Sequence, residues 1–514
     1  MAKRKREANT NTTSKPASQK DDTTVSKITK TNGHIDVKTI EPVIQIITGS
    51  YERVLHGITA TISNLSQSAP SVKFADSFLF NAHASAIRCL ALSPLPEPDS
   101  DETQGVYLAT GGSDEKINVY SLSASPVVED GKFPAMPSVG NKAISENPQN
   151  RELGTLLHHS SNITALHFPT RSKLLSASED NNIAVTRLRD LTVVSAVKAP
   201  HPKVQGQPSG DTAPPGATPA GVNDFAVHPS LKLMVSVGRG ERCMRLWNLV
   251  TGKKAGVLNF SRDILQSVKE GKYSSGEGRR IRWSPDGTEF AVSFERGAVV
   301  FGADSKPKCR ILPQPLTKLH QIVYLSIPNG SNDDPPTIIL AVSTEDGRIL
   351  FYNTDRLAAA AAASPSSTNG KTTGPEVSPA TSMPDATLQG QIGGKTGGIT
   401  GRVKDFEVLV VPSSTLPSYP RDDKGFIVAT AGSDGSIRLF LLSPQDLGRK
   451  VKEGQAPPQI GMLVGTCETG SRVTCLKAFV MLPARRVGED DLGDGFEGFD
   501  ESSAEEDESE SGSE

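Results

Sequence analysis

The stretch His228–Lys253, HPSLKLMVSVGRGERCMRLWNLVTGK, decides how the rest of the chain is read. An apolar run from Leu231 to Val237 leads into a polar turn around Gly238 and Gly240, and a second run ends at Trp247. Thr251-Gly252 then breaks the pattern. Two short apolar runs about a tight turn predict a β-hairpin. Within it an acidic turn residue, Glu241, stands six positions before the aromatic Trp247.

That spacing recurs: Asp114 to Tyr120 (GSDEKINVY), Glu295 to Phe301 (FERGAVVF), Asp346 to Tyr352 (EDGRILFY) and Asp434 to Phe440 (GSDGSIRLF). Asp180 to Thr186 (SEDNNIAVT) keeps the turn and loses the aromatic. One such hairpin carries little information; its repetition is the mark of a repeat fold, in which each unit buries its apolar face against the next. Each hairpin reads as the middle of a four-stranded propeller blade. The turn acid is expected to accept hydrogen bonds from backbone N–H groups and from a histidine entering the blade, His83 for Asp114 and one of His158 and His159 for Asp180. The aromatic is expected to pack between sheets. As neighbours on a strand, His158 and His159 would point to opposite faces, which argues against a metal pair.

Taken in order, ordered sequence starts near Pro42 with VIQIITGSYERVLHGITATI and a short strand at Phe78–Phe80. Further blades follow from His83, from Leu156, from Val222, from Arg279, from His320 and from Gly401. The last ordered piece ends in an orphan strand, Val473–Phe479, patterned like the first strand of other blades (compare ITALHF), and the first blade lacks that strand. Joining the two removes two open sheet edges. The expected fold is therefore all-β, a seven-bladed propeller over 41–483 closed by its C-terminal strand.

Composition agrees. The chain has 514 residues, 36% hydrophobic content, 46 glycines and 36 prolines, as many short strands and turns require. Its formal charge of −3 conceals polarity between the ends. Residues 1–40 form a polar tail opening with Lys3-Arg4-Lys5-Arg6, read as a nuclear-localisation signal on a disordered arm. Residues 484–514 form an acidic tail, also expected to be disordered, in which Ser502 and Ser503 each precede a glutamate by three positions. Inserts rich in Pro, Ser, Gly and Ala are expected at about 123–150, 203–220, 358–398 and 413–424. Cys89, Cys243, Cys309, Cys467 and Cys475 are scattered and odd in number, which argues against disulfides or a zinc site and for a reducing, intracellular setting. No apolar run approaches the roughly 20 residues that span a bilayer, so no membrane contact is expected. GGKTGG (Gly393–Gly398) imitates a phosphate loop, but Gln389 stands where the loop needs glycine. No arrangement of Ser, His and Asp gives a nucleophile its base. No catalytic residue, metal or cofactor is expected.

The repeats resemble WD-repeat propellers, although no literal Trp-Asp is present and Trp247-Asn248 comes closest. GSYERVLHG (Gly49–Gly57), LLHHSSNITALHF (Leu156–Phe168), the VSVG…RLWNLVTGK core, GRVKDF (Gly401–Phe406) and TGSRVTCLKAF (Thr469–Phe479) occur in that order. Together they resemble the PAK-interacting-protein/maintenance-of-killer family of WD-repeat proteins over roughly residues 43–482. The resemblance implies a nucleolar factor of large (60S) ribosomal subunit assembly, a monomeric propeller within a large particle. Its partners would be pre-60S ribosomal proteins and rRNA. In animal members it also implies an inhibitory contact with p21-activated protein kinases.

In a WD-type blade the residue just before the innermost strand lies on the narrower rim, near the central channel. Those residues are Ala86, Asn162, Gly221, Glu277, Lys318, Arg402 and Arg472. The three basic ones fall on consecutive blades once the ring closes. Arginine makes bidentate contacts with phosphates and carboxylates. Lys318, Arg402 and Arg472, helped by Lys404, are therefore expected to grip rRNA or an acidic segment of an assembly partner.

Overall fold

The computed structural model describes residues 41–63, 70–97, 105–127, 143–201, 220–271, 274–327, 336–358, 383–399, 401–411, 425–448 and 457–483. All of them belong to one compact unit, Ile40–Glu514. The basic cluster Lys3–Arg6, the acidic tail and most of the proposed inserts lie outside these residues.

Strands dominate and pair into seven blades around a channel. Blade 1 is ordered Val473–Val480, Val43–Ser50, Val54–Ser63, Ser71–Asn81 from inside outward, and the dipeptide Ala143–Ile144 pairs parallel to its outer edge. The C-terminal strand thus completes the N-terminal blade, with Ile46 opposite Ala478 and Ile44 opposite Val480. Blade 2 runs Ile87–Leu92, Gly105–Gly112, Ile117–Ser123, Arg151–Leu156. Blade 3 runs Ile163–Thr170, Lys173–Ser178, Asn182–Arg187, Thr192–Lys198, and blade 4 runs Val222–Val227, Leu233–Gly238, Cys243–Asn248, Lys253–Asn259. Blade 5 (Arg280–Trp283, Glu289–Ser293, Ala298–Gly302, Pro307–Ile311) touches blade 6 (Leu319–Ile327, Thr337–Thr344, Arg348–Ala358, Asp385–Gly393) through one parallel pairing, Arg310 with Asp385. Blade 7 comprises Val403–Val411, Gly425–Gly432, Ser436–Leu442 and Met462–Glu468.

What holds the ring is the apolar seam between successive blades. Each of the seven junctions has its own buried cluster, including one between blades 7 and 1 built from Ile44, Ile58, Val411, Ile427, Leu439 and Leu476. The aromatic six residues after each turn acid supplies this seam. Tyr120, Trp247, Phe301, Tyr352 and Phe440 are buried, and each lies in the cluster that its blade shares with the preceding one. At about 25 cal/mol per Å² of apolar surface removed from water, such large side chains add to the driving force that the aliphatic residues of each cluster supply. Trp247 also satisfies its indole N–H on Ser236 Oγ at 2.8 Å.

Two boundaries differ from the sequence reading. The outer strand of blade 1 extends to Ser71–Asn81, well beyond Phe78–Phe80, because Val72 and Phe74 pack against the cluster shared with blade 7. The stretch 358–398 holds the outermost strand of blade 6, Asp385–Gly393. GGKTGG ends that strand and contributes a single 3-10 turn, Lys395–Gly397, instead of the helix that a phosphate loop requires. Its glycines answer to packing: Gly393 has φ +78°, and a Cβ there would lie 2.6 Å from the Gly347 carbonyl oxygen.

Candidate docking site at the channel mouth

The hairpin turns come in two kinds. In blades 2 and 3 a histidine serves the acid. His83 Nδ1 lies 3.0 Å from Asp114 Oδ1 and its Nε2 lies 2.8 Å from Thr110 Oγ1, while the N–H of Ala84 donates to Asp114 Oδ2 at 2.9 Å. His159 repeats this with Asp180 (3.0 Å) and Ser176 (2.9 Å), and Asn182 N–H adds a 2.9 Å bond to Asp180. Backbone and imidazole donors outweigh burial, which opposes them, and hold both carboxyls below the ordinary aspartate range. In blades 4, 6 and 7 the partner is an arginine on the next strand: Arg245 for Glu241, Arg348 for Asp346 and Arg438 for Asp434.

Glu295 does neither. The blade 5 turn is a residue shorter, closing from Phe294 N–H to Gly297 O, so Glu295 points sideways to Lys318 Nζ at 2.9 Å. His158 and His159 also depart from expectation. They sit in the connection before the strand, where alternation does not apply, and both bond Ser176 Oγ, at 3.0 and 2.9 Å.

The rim positions align in the structure. The carbonyls of Ala86, Asn162, Gly221, Lys318, Arg402 and Arg472 each accept the N–H of the first residue after the second strand, at 2.8 to 3.0 Å. For Arg472 that donor belongs to Tyr51, and for Arg402 to Ser433. Glu277 breaks the series and instead accepts Gly240 N–H through its carboxylate. Lys318, Arg402 and Arg472 thus share one rim position on consecutive blades, but they are not equivalent. Lys318 is paired to Glu295 and Arg402 to Glu345 (3.1 Å), each a carboxylate of the preceding blade. Blade 7 has Ser433 at that place, so the Arg472 guanidinium has no carboxylate within ion-pair distance among the described residues and lies over the Tyr51 ring, 5.9 Å from its centroid.

One residue further in, at the second position of the inner strands, neutral side chains stitch blades together. Thr164 Oγ1 donates to Val222 O at 2.6 Å, Asn223 Nδ2 to Gly278 O at 2.9 Å and Thr474 Oγ1 to Ile87 O at 2.6 Å. The same position in blades 2, 6 and 7 holds Arg88, His320 and Lys404; in blade 5, whose inner strand begins at Arg280, its counterpart is Arg279, which follows the Gly278 that Asn223 bonds. Lys404 is half-buried; burial, Arg402 and Arg472 all lower its pKa. Burial, then Lys404, pushes the His320 imidazole down to about 4, and its Nε2 is a buried atom with no hydrogen-bond partner.

Deeper in the channel the charges are paired. Arg282 Nη1 meets Asp224 Oδ2 at 2.7 Å and Lys477 Nζ meets Glu407 Oε2 at 2.5 Å. Asp224 also accepts Ile281 N–H of blade 5, and Asp405 accepts Leu476 N–H of blade 1 and Gln321 Nε2 of blade 6. These two acids went unnoticed in the sequence, where the matching segments VNDF and VKDF are the signal that marks them. Among the described residues no cluster of His, Cys, Asp and Glu could hold a metal ion, and all five cysteines are free. No helix there is long and apolar enough to cross a membrane.

Seven four-stranded blades, a C-terminal strand closing the ring and a His–Asp turn that ties it define a WD-repeat β-propeller. The WD40 model (WD domain, G-beta repeat) matches residues 150–185, which contain the His159–Asp180 turn. The chain is 28% identical over 333 residues to Protein MAK11 of Saccharomyces cerevisiae, covering 61% of this chain and 63% of that protein. It is 23% identical over 312 residues to a p21-activated protein kinase-interacting protein 1-like of Gallus gallus (61% of each), and 25% identical over 218 residues to Shk1 kinase-binding protein 15 of Schizosaccharomyces pombe (42% and 47%). These similarities agree with the resemblance to the PAK-interacting-protein/maintenance-of-killer group of WD-repeat proteins. The chain spans less than two thirds of the length of these relatives.

Proposed function

We propose that this protein is a non-catalytic docking scaffold in assembly of the large (60S) ribosomal subunit. It would work in the nucleus and nucleolus, directed there by Lys3–Arg6, on pre-60S ribosomal proteins or rRNA. The observation that supports it most is the channel mouth, where Lys404 and Arg472 have no acidic side chain within ion-pair distance of their charged groups among the described residues. A rigid ring with a cationic mouth is suited to holding an anionic partner in place, and loops on such a scaffold commonly carry function. The similarity to MAK11, together with the family resemblance, supplies the ribosomal setting. Affinity purification of the full-length protein with identification of bound protein and RNA tests this. Large-subunit precursors are expected; their absence from a nuclear extract overturns it.

A second reading is favoured by the names of two relatives, a p21-activated protein kinase-interacting protein and a Shk1 kinase-binding protein. On that reading the same scaffold binds a protein kinase and restrains it. A kinase dominating the purified material, with no ribosomal precursor, would select it.

A further inference from the structure

We propose that the channel mouth between blades 6, 7 and 1 seats a single anionic tip, the carboxylate or phosphoryl group of an acidic protein segment, held by Lys404 and Arg472. This rests on the reading of this rim as the docking face. Four groups face it with no carboxylate within ion-pair distance among the described residues, Glu345 acting on Lys404 and His320 only from further away. They are Lys404, Arg472, Arg280, and the His320 imidazole with its orphaned Nε2. Lys404 is half-buried beside the exposed Arg402 and Arg472, and like charges so placed cost stability because they disfavour its charged form. The fold contains remedies that it does not use here. A threonine at the position of Lys404 would stitch blade 7 to blade 1, as Thr474 stitches blade 1 to blade 2. A glutamate at Ser433 would neutralise Arg472, as Glu345 neutralises Arg402. Departures of this kind from a fold's own pattern mark functional positions.

The size of the unpaired charge selects the ligand. Below Lys404 the cations are already paired, Lys477 to Glu407 and Arg282 to Asp224. Around the rim stand Glu52, Glu179, Glu277, Glu295 and Glu345. An extended phosphodiester backbone laid across the mouth would pass these carboxylates, whereas nucleic-acid tracks are continuous in positive charge. The channel cavity of about 390 Å³ is lined by Lys404, Arg280 and Arg88 together with the paired Arg282–Asp224 and Lys477–Glu407, room for a short segment's tip and not for a continuous strand. An acidic protein segment therefore fits better than RNA.

The test uses the full-length protein and fluorescence anisotropy with three labelled probes: a glutamate-serine peptide, its phosphoserine form, and a single-stranded RNA of equal charge. Either peptide should bind more tightly than the RNA, and the difference between the two peptides identifies the preferred tip. Lys404→Gln and Arg472→Gln should each weaken peptide binding by about tenfold or more, while Lys306→Gln, in a turn at the far end of the strands, should leave it unchanged. Saturating peptide should also raise the titration midpoint of His320 in proton NMR. The anion would counter Lys404, Arg402 and Arg280, which disfavour the imidazolium, and add to Glu345, which favours it. Tighter binding of RNA, or unchanged peptide affinity in Lys404→Gln and Arg472→Gln variants that melt like the parent, overturns the proposal. If peptides fail to bind but the two variants still lose precursor particles, the rim docks and the acidic-tip chemistry is wrong.

Discussion

Near the start of the inner strands, two sets of blades in the same ring solve different problems. On blades 1, 3 and 4, Thr474, Thr164 and Asn223 give their hydrogen bonds to the next blade's backbone. On blades 2, 5, 6 and 7, Arg88, Arg279, His320 and Lys404 leave that stitch unmade; Arg88 and Arg279 pair with Glu179 and Glu295, while His320 and Lys404 stand at the mouth without an ion pair. The stitched set is ordinary propeller construction. The open set gives up local stability for a charge that faces outward, which is the physical sign of a binding surface.

The comparison breaks first at the acids beneath it, which both sets need. Asp405→Ala strands Leu476 N–H and the Gln321 amide at the blade 7–1 closure. Removing one member of a buried polar network should cost about 3–5 kcal/mol, read as a lower denaturation midpoint. Thr474→Val and Thr164→Val remove one stitch each and should cost about 1–2 kcal/mol by the same assay. Lys404→Thr sharpens the contrast, because it should place a stitch in the open set. It is expected to gain up to about 1 kcal/mol while losing peptide binding. A destabilised Lys404→Thr would mean that the lysine serves the fold.

The smallest effect is on pH dependence. Burial holds the imidazoles of His158, His167 and His320 down to about 4, from 6.5. They stay neutral in the fold while the unfolded chain takes up protons, so stability should fall as pH drops from 6.5 toward 4. Asp114 and Asp180 have lowered pKa values, so their contribution is present above 3.8 and is lost as pH falls further. Melting temperatures of His320→Asn should fall less steeply than the parent's over the upper window, and those of Asp180→Asn over the lower one.

The blades, their order and the closing strand were legible because one hairpin repeats and the C-terminal strand matches the one missing from blade 1. The aromatic spacing was legible for the same reason, since six residues past the turn acid lead to the seam with the preceding blade. Local turn length was not. One residue fewer in blade 5 redirects Glu295 to the rim. The outer strand Asp385–Gly393 was masked by the low-complexity sequence beside it. The rim cations were located by alignment, but their neutralisation depends on the neighbouring blade. Glu295 and Glu345 oppose Lys318 and Arg402, while Ser433 leaves Arg472 open. That distinction lives in packing between blades, which no single repeat reveals.

Sedimentation of the full-length protein carrying both Lys404→Glu and Arg472→Glu through a sucrose gradient of nuclear extract tests the docking claim most directly. The account predicts a protein that melts close to the parent yet leaves the large-subunit precursor fractions for the top of the gradient. A well-folded double variant that still travels with the precursors would contradict it.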